Sequence, residues 1–140
     1  MNVDHRPPES PRTHLAIDCR LVGEPVDLGE GTSTVVLVTL PEMAADERGL
    51  VHGGFVFGLA DYAAMLAVNH PDVVLGSAEA RFLKPVSVGE RLVAQARVEE
   101  TDGRRSRVRV EVRRGEEAVM SGSFVCFTLA GHAFDAGGRG

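Results

Sequence analysis

The chain has no tryptophan, one tyrosine and six phenylalanines in 140 residues, so a core built from it must be mainly aliphatic. It has two cysteines, Cys19 and Cys126, far apart and outside any Cys-x-x-Cys pattern. That excludes a disulfide scaffold and points to two reduced core thiols in a cytoplasmic protein. No apolar run reaches the ~18 residues of a membrane span, so no membrane partner is expected. The start, MNVDHRPPESPRTH, lacks the apolar stretch of a signal peptide. Lysine is nearly absent: Lys84 is the single lysine among 15 basic residues, which face 20 acidic ones for a net charge of −5. An acidic balance argues against a nucleic-acid partner.

What is present fits one globular domain, with 44% hydrophobic and 25% charged residues. The length allows one core and not two, so any chemistry is compact or shared between subunits. Residues 1–12 carry three prolines among charges and read as a disordered arm. Residues 131–140 are glycine-rich and read as a flexible tail, which leaves 13–130 as the domain. Residues 14–22 read as weakly patterned β and 23–31 as a turn-rich stretch. Thr34 to Leu40 is a β-branched run, apolar on both faces, and predicts a well-covered strand.

From Gly53 to Val68 alternation stops and Ala, Leu and Met take over, which predicts one helix. It is apolar nearly all round and should be buried on every side. Strands are predicted over 73–84, 91–99, 105–113 and 118–129, with Pro85 and Gly89 turning the chain between the first two. Asp102-Gly103 marks a hairpin. The physical solution is an α+β fold, a curved antiparallel sheet wrapped around one long central helix. Ala78, Ala80, Ala94 and Ala96 would let the helix sit close. A sheet covering one side of such a helix leaves edges and apolar surface open, so two copies should pair through the sheet as a homodimer. A dimer of such dimers is the alternative assembly.

The segment LVHGGFVFGLAD, Leu50 to Asp61, resembles hot-dog-fold thioesterases of the phenylacetate-pathway type. In that family an HGG turn opens the central helix and an acid follows one to two turns later. The likeness continues through RFLKP, Arg81 to Pro85, and Val88-Gly89-Glu90. The second half, RFLKPVSVGERLVAQARV then GEEAVMSGSF, also resembles the effector domain of a bacterial fatty-acid-synthesis repressor that binds malonyl thioesters. That repressor carries a DNA-binding helix-turn-helix ahead of the domain, and the arm before His14 is too short for one. The resemblance implies an acyl-CoA thioesterase, cleaving a small-molecule acyl-CoA to free acid and coenzyme A. The alternative is a hot-dog protein that binds acyl thioesters as a sensor or effector without turnover.

Asp61 is the sharpest candidate, because an unpaired buried carboxylate costs several kcal/mol and needs a partner or a task. The resemblance implies that it activates water or attacks the thioester carbonyl in a cleft at the subunit interface. A structural aspartate bonding backbone amides is the other reading. Gly53 and Gly54 sit where free helix N–H groups can meet a carbonyl oxygen, and Gly54 is favoured as an oxyanion donor. His52 either polarises the carbonyl or caps the helix.

Asp46 stands where the family usually has Asn, six residues before the histidine. There it helps hold water or substrate; a second carboxylate near Asp61 would raise the pKa of one of the two, and a solvated loop acid is the other reading. Ser77 and Glu79 match the strand from which relatives assist the acid across the dimer, and otherwise form an ordinary polar pair with Arg81. Phe55, Phe57 and Met65 are candidate tunnel linings. A hot-dog dehydratase would need an Asp–His pair about five residues apart, which only Glu47 and His52 approach. No cofactor is expected beyond the coenzyme A of the substrate, and no metal, since no histidines stand at ligand spacing.

Overall fold

The computed structural model describes residues 9–136. A short helix α1 (Cys19–Val22) precedes strands β1 (Glu24–Gly29) and β2 (Thr32–Val38), a 3-10 turn (Pro41–Met43) and the long helix α2 (Gly53–Val68). Strands β3 (Val73–Phe82), β4 (Arg91–Asp102), β5 (Arg105–Arg114) and β6 (Glu117–Thr128) follow, then a helical turn α3 (Ala133–Ala136). All six strands join one antiparallel sheet in the order β1-β2-β4-β5-β6-β3, and α2 lies against one face of it. This is the hot-dog arrangement that the sequence predicts.

Helix α2 takes the expected bounds for local reasons. His52 enters in extended conformation, and Asn69 closes the far end in the left-handed region at φ 52°. Asparagine tolerates that conformation better than most residues. The inward faces of three strands carry the core: Leu92, Ala94 and Ala96 on β4, Val108, Val110 and Val112 on β5, and Met120, Phe124 and Cys126 on β6. Ala94 and Ala96 admit the helix closely. From β2, the buried Ser33 hydroxyl donates to the Ala63 carbonyl at 2.6 Å, a bond that crosses from sheet to helix. The outward residues Arg109, Glu111 and Arg113 alternate with the buried valines, as a half-covered sheet requires.

Four expectations give way. Residues 14–22 are not β, because Asp18 accepts the N–H of Arg20 at 2.9 Å, caps α1, and Gly23 at φ 104° then ends it. Residues 23–31 are mostly strand. Pro25 is tolerated because β1 is an edge strand, and the register shifts between Pro25 and Asp27. The segment after β3 does not turn back onto β3's neighbour. Leu83 bonds to Val119 and Val86 to Val51, so the chain crosses the start of α2 and reaches β4 on the far side of β5 and β6. Finally, α2 is not buried all round. Gly54 is exposed, and Phe55, Phe57, Gly58 and Asp61 are half-buried. Ala78 is exposed as well, so only part of the alanine seat lies under the helix.

The segment read as a loose arm is partly anchored. The Asn69 side chain accepts the N–H of Arg12 at 2.7 Å and donates to the Ser10 carbonyl at 2.9 Å. Residues 1–8 and 137–140 lie outside the described residues. Asn69→Gly is expected to keep the left-handed helix end and lose only this clasp. Asn69→Ala loses both, at a cost of about 1–2 kcal/mol. Amide exchange at Arg12 should quicken in both variants, and the melting temperature should fall more in the alanine one.

Candidate functional site

Asp61 faces the outer flank of α2, two turns into the helix. Its Oδ1 is the one buried side-chain polar atom without a hydrogen-bond partner among the described residues. Burial pushes its carboxyl up to about 6, since the charged form loses hydration that nothing replaces. The Asp46 carboxylate has no part in that shift. Asp46 Oδ1 instead accepts the N–H groups of Arg48 at 3.0 Å and Leu50 at 3.1 Å and builds its own exposed turn. Asp46→Asn keeps that acceptor and should leave stability within ~0.5 kcal/mol, whereas Asp46→Ala should cost about 1 kcal/mol in thermal unfolding.

His52, Gly53 and Gly54 do come together at the start of α2. His52 makes no side-chain cap bond, and the N–H groups of Gly53 and Gly54 meet no acceptor among the described residues. The imidazole leans over Gly54: a Cβ there would stand 3.1 Å from His52 Cδ2 and 3.2 Å from Nε2. Glycine is therefore what lets the ring and two free donors share one exposed turn. The Phe82 ring covers the neighbouring position, 3.6 Å from a Cβ built on Gly53.

Ser77 and Glu79 are not brought to this place. They pair in register with Val125 and Ser123, on the sheet face turned away from α2. Their neighbours Ala78 and Ala80 pair with Phe124 and Gly122 and face the helix side. The two-residue period of a strand puts alternate residues on opposite faces, so in this register Glu79 does not face Asp61 within one chain. Tyr62, too, points elsewhere. It is buried, with its hydroxyl 3.9 Å from Cys19 Sγ.

Two residues of the neighbourhood escaped sequence reasoning. Burial pushes the Cys126 thiol up to about 12, and the charge of the nearby Asp61 carboxylate adds to the rise. Its signal was the inward phase of Met120, Gly122 and Phe124 on the same strand. Phe82, 55% exposed at the end of β3, carried no signal beyond its strand phase.

Comparison with known proteins agrees with the geometry. The family model described as the thioesterase superfamily matches residues 48–121, more than half of the chain, and spans the HGG turn, α2 and strands β3 to β5. The chain belongs to the thioesterase superfamily. Among solved structures, this superfamily member is similar to the uncharacterized protein PH1136 of Pyrococcus horikoshii, 54% identical with a TM-score of 0.91, covering 93% of this chain and 100% of that one. It is similar to a mutant of the phenylacetic acid degradation protein PaaI of Thermus thermophilus, 29% identical with a TM-score of 0.71, over 78% of this chain and 95% of that one. The phenylacetate-pathway likeness read from the sequence is therefore shown.

Among curated proteins, the thioesterase-superfamily chain matches methylthioribose-1-phosphate isomerase of Aquifex aeolicus at 53% identity over 113 residues, 81% of this chain and 25% of that protein. It matches the transcription factor FapR of Bacillus velezensis at 33% over 113 residues, 79% of this chain and 60% of that protein. The chain thus spans a quarter to three fifths of the length of these relatives. No helix among the described residues is long and apolar enough to cross a membrane.

Proposed function

We propose that the protein is an acyl-CoA thioesterase in which Asp61 is the general base or nucleophile and the Gly54 N–H polarises the thioester carbonyl. The observation that carries this is the unpartnered Oδ1 of Asp61. A carboxylate kept half-buried without a hydrogen bond on that oxygen costs stability that only use would justify. As base, it takes a proton from water as the water attacks the carbonyl carbon. Negative charge moves to the carbonyl oxygen, where the N–H groups at the start of α2 and the positive end of its dipole meet it. Collapse of the tetrahedral adduct expels the coenzyme A thiolate. His52 and Gly53 flank the same turn, with His52 as a donor to the carbonyl.

Seven residues of helix separate Gly54 from Asp61, an axial rise of about 10 Å. One carbonyl cannot touch both groups of the same chain. This supports a site shared across a homodimer, with the donors of one copy facing the acid of the other. The unpaired edge of β3 and the exposed Phe82 and Leu83 beside it offer the surface to cover. The two free cysteines fit a cytoplasmic home.

A second reading, a non-catalytic acyl-thioester sensor, is favoured by the similarity to FapR, a transcription factor. Measuring free thiol release from acetyl-, hexanoyl-, palmitoyl- and phenylacetyl-CoA separates the two. Release by the native protein supports the enzyme. Tight binding of these compounds without release would overturn it in favour of the sensor.

A further inference from the structure

We propose that Arg114 is a positioning residue for the His52–Gly54 turn, acting through the strap of residues 83–90 that crosses the start of α2. The inference rests on the N–H groups of that turn meeting the thioester carbonyl. The strap bears on the turn at two points. Just before it, the Phe82 ring lies over Gly53. In its middle, the Val86 carbonyl accepts the N–H of Val51 at 2.8 Å, one residue ahead of His52. From the other side, His52 donates to the Met43 carbonyl at 2.9 Å, and Ala45 to the Leu50 carbonyl at 2.7 Å. The free donors of Gly53 and Gly54 therefore stand where residues 43–45 and the strap together put them.

Thr39 fixes the far half of the strap. Its hydroxyl donates to the Ser87 carbonyl at 2.8 Å, and its carbonyl accepts the Gly89 N–H at 2.9 Å. Pro85 has no N–H to give, and among the described residues its carbonyl is held by Arg114 alone. Arg114 ends β5, and its Nη1 donates to the Pro85 carbonyl at 2.8 Å and to Glu90 Oε1 at 2.9 Å, while Nη2 donates to Glu117. Glu90 Oε1 also accepts the Ser87 N–H at 2.8 Å. One guanidinium thus grips both halves of the strap, one peptide away from the carbonyl that holds Val51. Partly exposed ion pairs of this kind add little to stability, since water competes for both charges. A planar fork that joins a backbone carbonyl to a carboxylate fixes geometry instead. Without it Val86 can drift, and the donors with it. A misplacement of about 1 Å at the reacting atoms can cost on the order of a hundredfold in rate.

The test uses the full chain with Arg114→Met, Arg114→Lys and, as control, Arg107→Met. Arg107 lies on the same strand, pairs with Glu99 and Glu100, and touches neither strap nor turn. Thiol release from whichever of the four acyl-CoAs is turned over fastest gives kcat and KM. Amide hydrogen exchange is followed at Val51 and at Leu66, in the buried middle of α2. Arg114→Met should lower kcat about tenfold with KM within about twofold, and quicken exchange at Val51 at least about tenfold while Leu66 stays native. Arg114→Lys keeps the charge without the fork and should fall between. Arg107→Met should match the native protein. Native kcat in a folded Arg114→Met, or a lower kcat with native exchange at Val51, overturns the positioning role and leaves the thioesterase reading standing. So does exchange that quickens equally at Val51 and Leu66, the mark of a merely structural residue. A native protein that releases no thiol sinks hydrolysis alone, and exchange then decides on Arg114: a rise confined to Val51 supports it, and no rise overturns it. Should Arg114→Met not fold, Arg114→Lys decides by the same readings at smaller amplitude.

Discussion

Asp61→Asn should release thiol from acyl-CoA at about a thousandth of the native rate while binding the same thioesters with nearly native affinity. Asparagine fills the same space and keeps one acceptor oxygen, but it cannot take a proton or attack a carbonyl. The pH profile gives a second signature. The native rate should rise as Asp61 loses its proton near pH 6 and level off above, because base and nucleophile both require the carboxylate. That limb should vanish from whatever residual rate the variant shows. A variant with native turnover, or a native profile flat between pH 5 and 7, would remove Asp61 from the chemistry.

The same substitution should raise stability. The folded-state pKa of Asp61, about 6, lies above the ordinary aspartate value of 3.8. The folded chain therefore holds that proton over an interval where the unfolded chain has released it. Stability falls as pH rises through that interval, by on the order of 2–3 kcal/mol in all. Above pH 6 the Asn variant avoids this cost and should melt several degrees higher, while near pH 4 the two proteins should melt together. Gain of stability with loss of turnover is what distinguishes a functional carboxylate from a structural one.

Gly122→Ala should be strongly destabilising, costing about 3 kcal/mol and lowering the melting temperature by about 10 °C. A Cβ there would stand 2.8 Å from the Glu79 carbonyl oxygen and 3.4 Å from the Ala80 Cα. These are backbone atoms of the paired strand, so relief requires β3 to move away from β6. A third contact, 3.1 Å to the Phe124 ring, lets the strain reach the Phe57–Phe124 stack. Gly131→Ala is the control, since a Cβ at Gly131 meets nothing within 4 Å. Equal melting temperatures for the two variants would show that the strands separate there without penalty. If two copies pair through β3 as proposed, its loss should also remove self-association, which light scattering reads directly.

Legibility from sequence followed the range of the interactions. Helix α2 was readable to the residue because its limits are local, set by the GG turn and the left-handed Asn69. Strands β5 and β6 were readable because each carries one solvated and one buried face. Strand β1 was not, since Pro25 argues against a strand unless the strand is known to be an edge. The neighbourhood of β3 and β6 was not readable either, because nothing in 73–82 names a partner some fifty residues later. The site divides along the same line. Asp61 stood out as a lone charge in an apolar helix, and His52, Gly53 and Gly54 are adjacent in the chain. The role of Ser77 and Glu79 came from family likeness, which places it across the dimer, while their strand phase away from Ala78 and Ala80 is the one the alternation predicts. Asp46 had its task in view, since a turn aspartate followed by Arg48, Gly49 and Leu50 serves its own loop first.

The strand order also has a consequence for how the chain is made. Strand β6, the last in the chain, lies between β5 and β3, and Val73 pairs with Thr128. The β4–β5–β6 meander closes through short turns, but β3 and the helix before it wait for a strand synthesised roughly fifty residues later. On the ribosome, the apolar α2 therefore emerges before the strand that completes its cover. Contacts of such long separation slow folding, and this interval is when the nascent chain is most exposed to aggregation. Shortening or arresting the chain before Cys126 should leave α2 uncovered on the flank that carries Asp61.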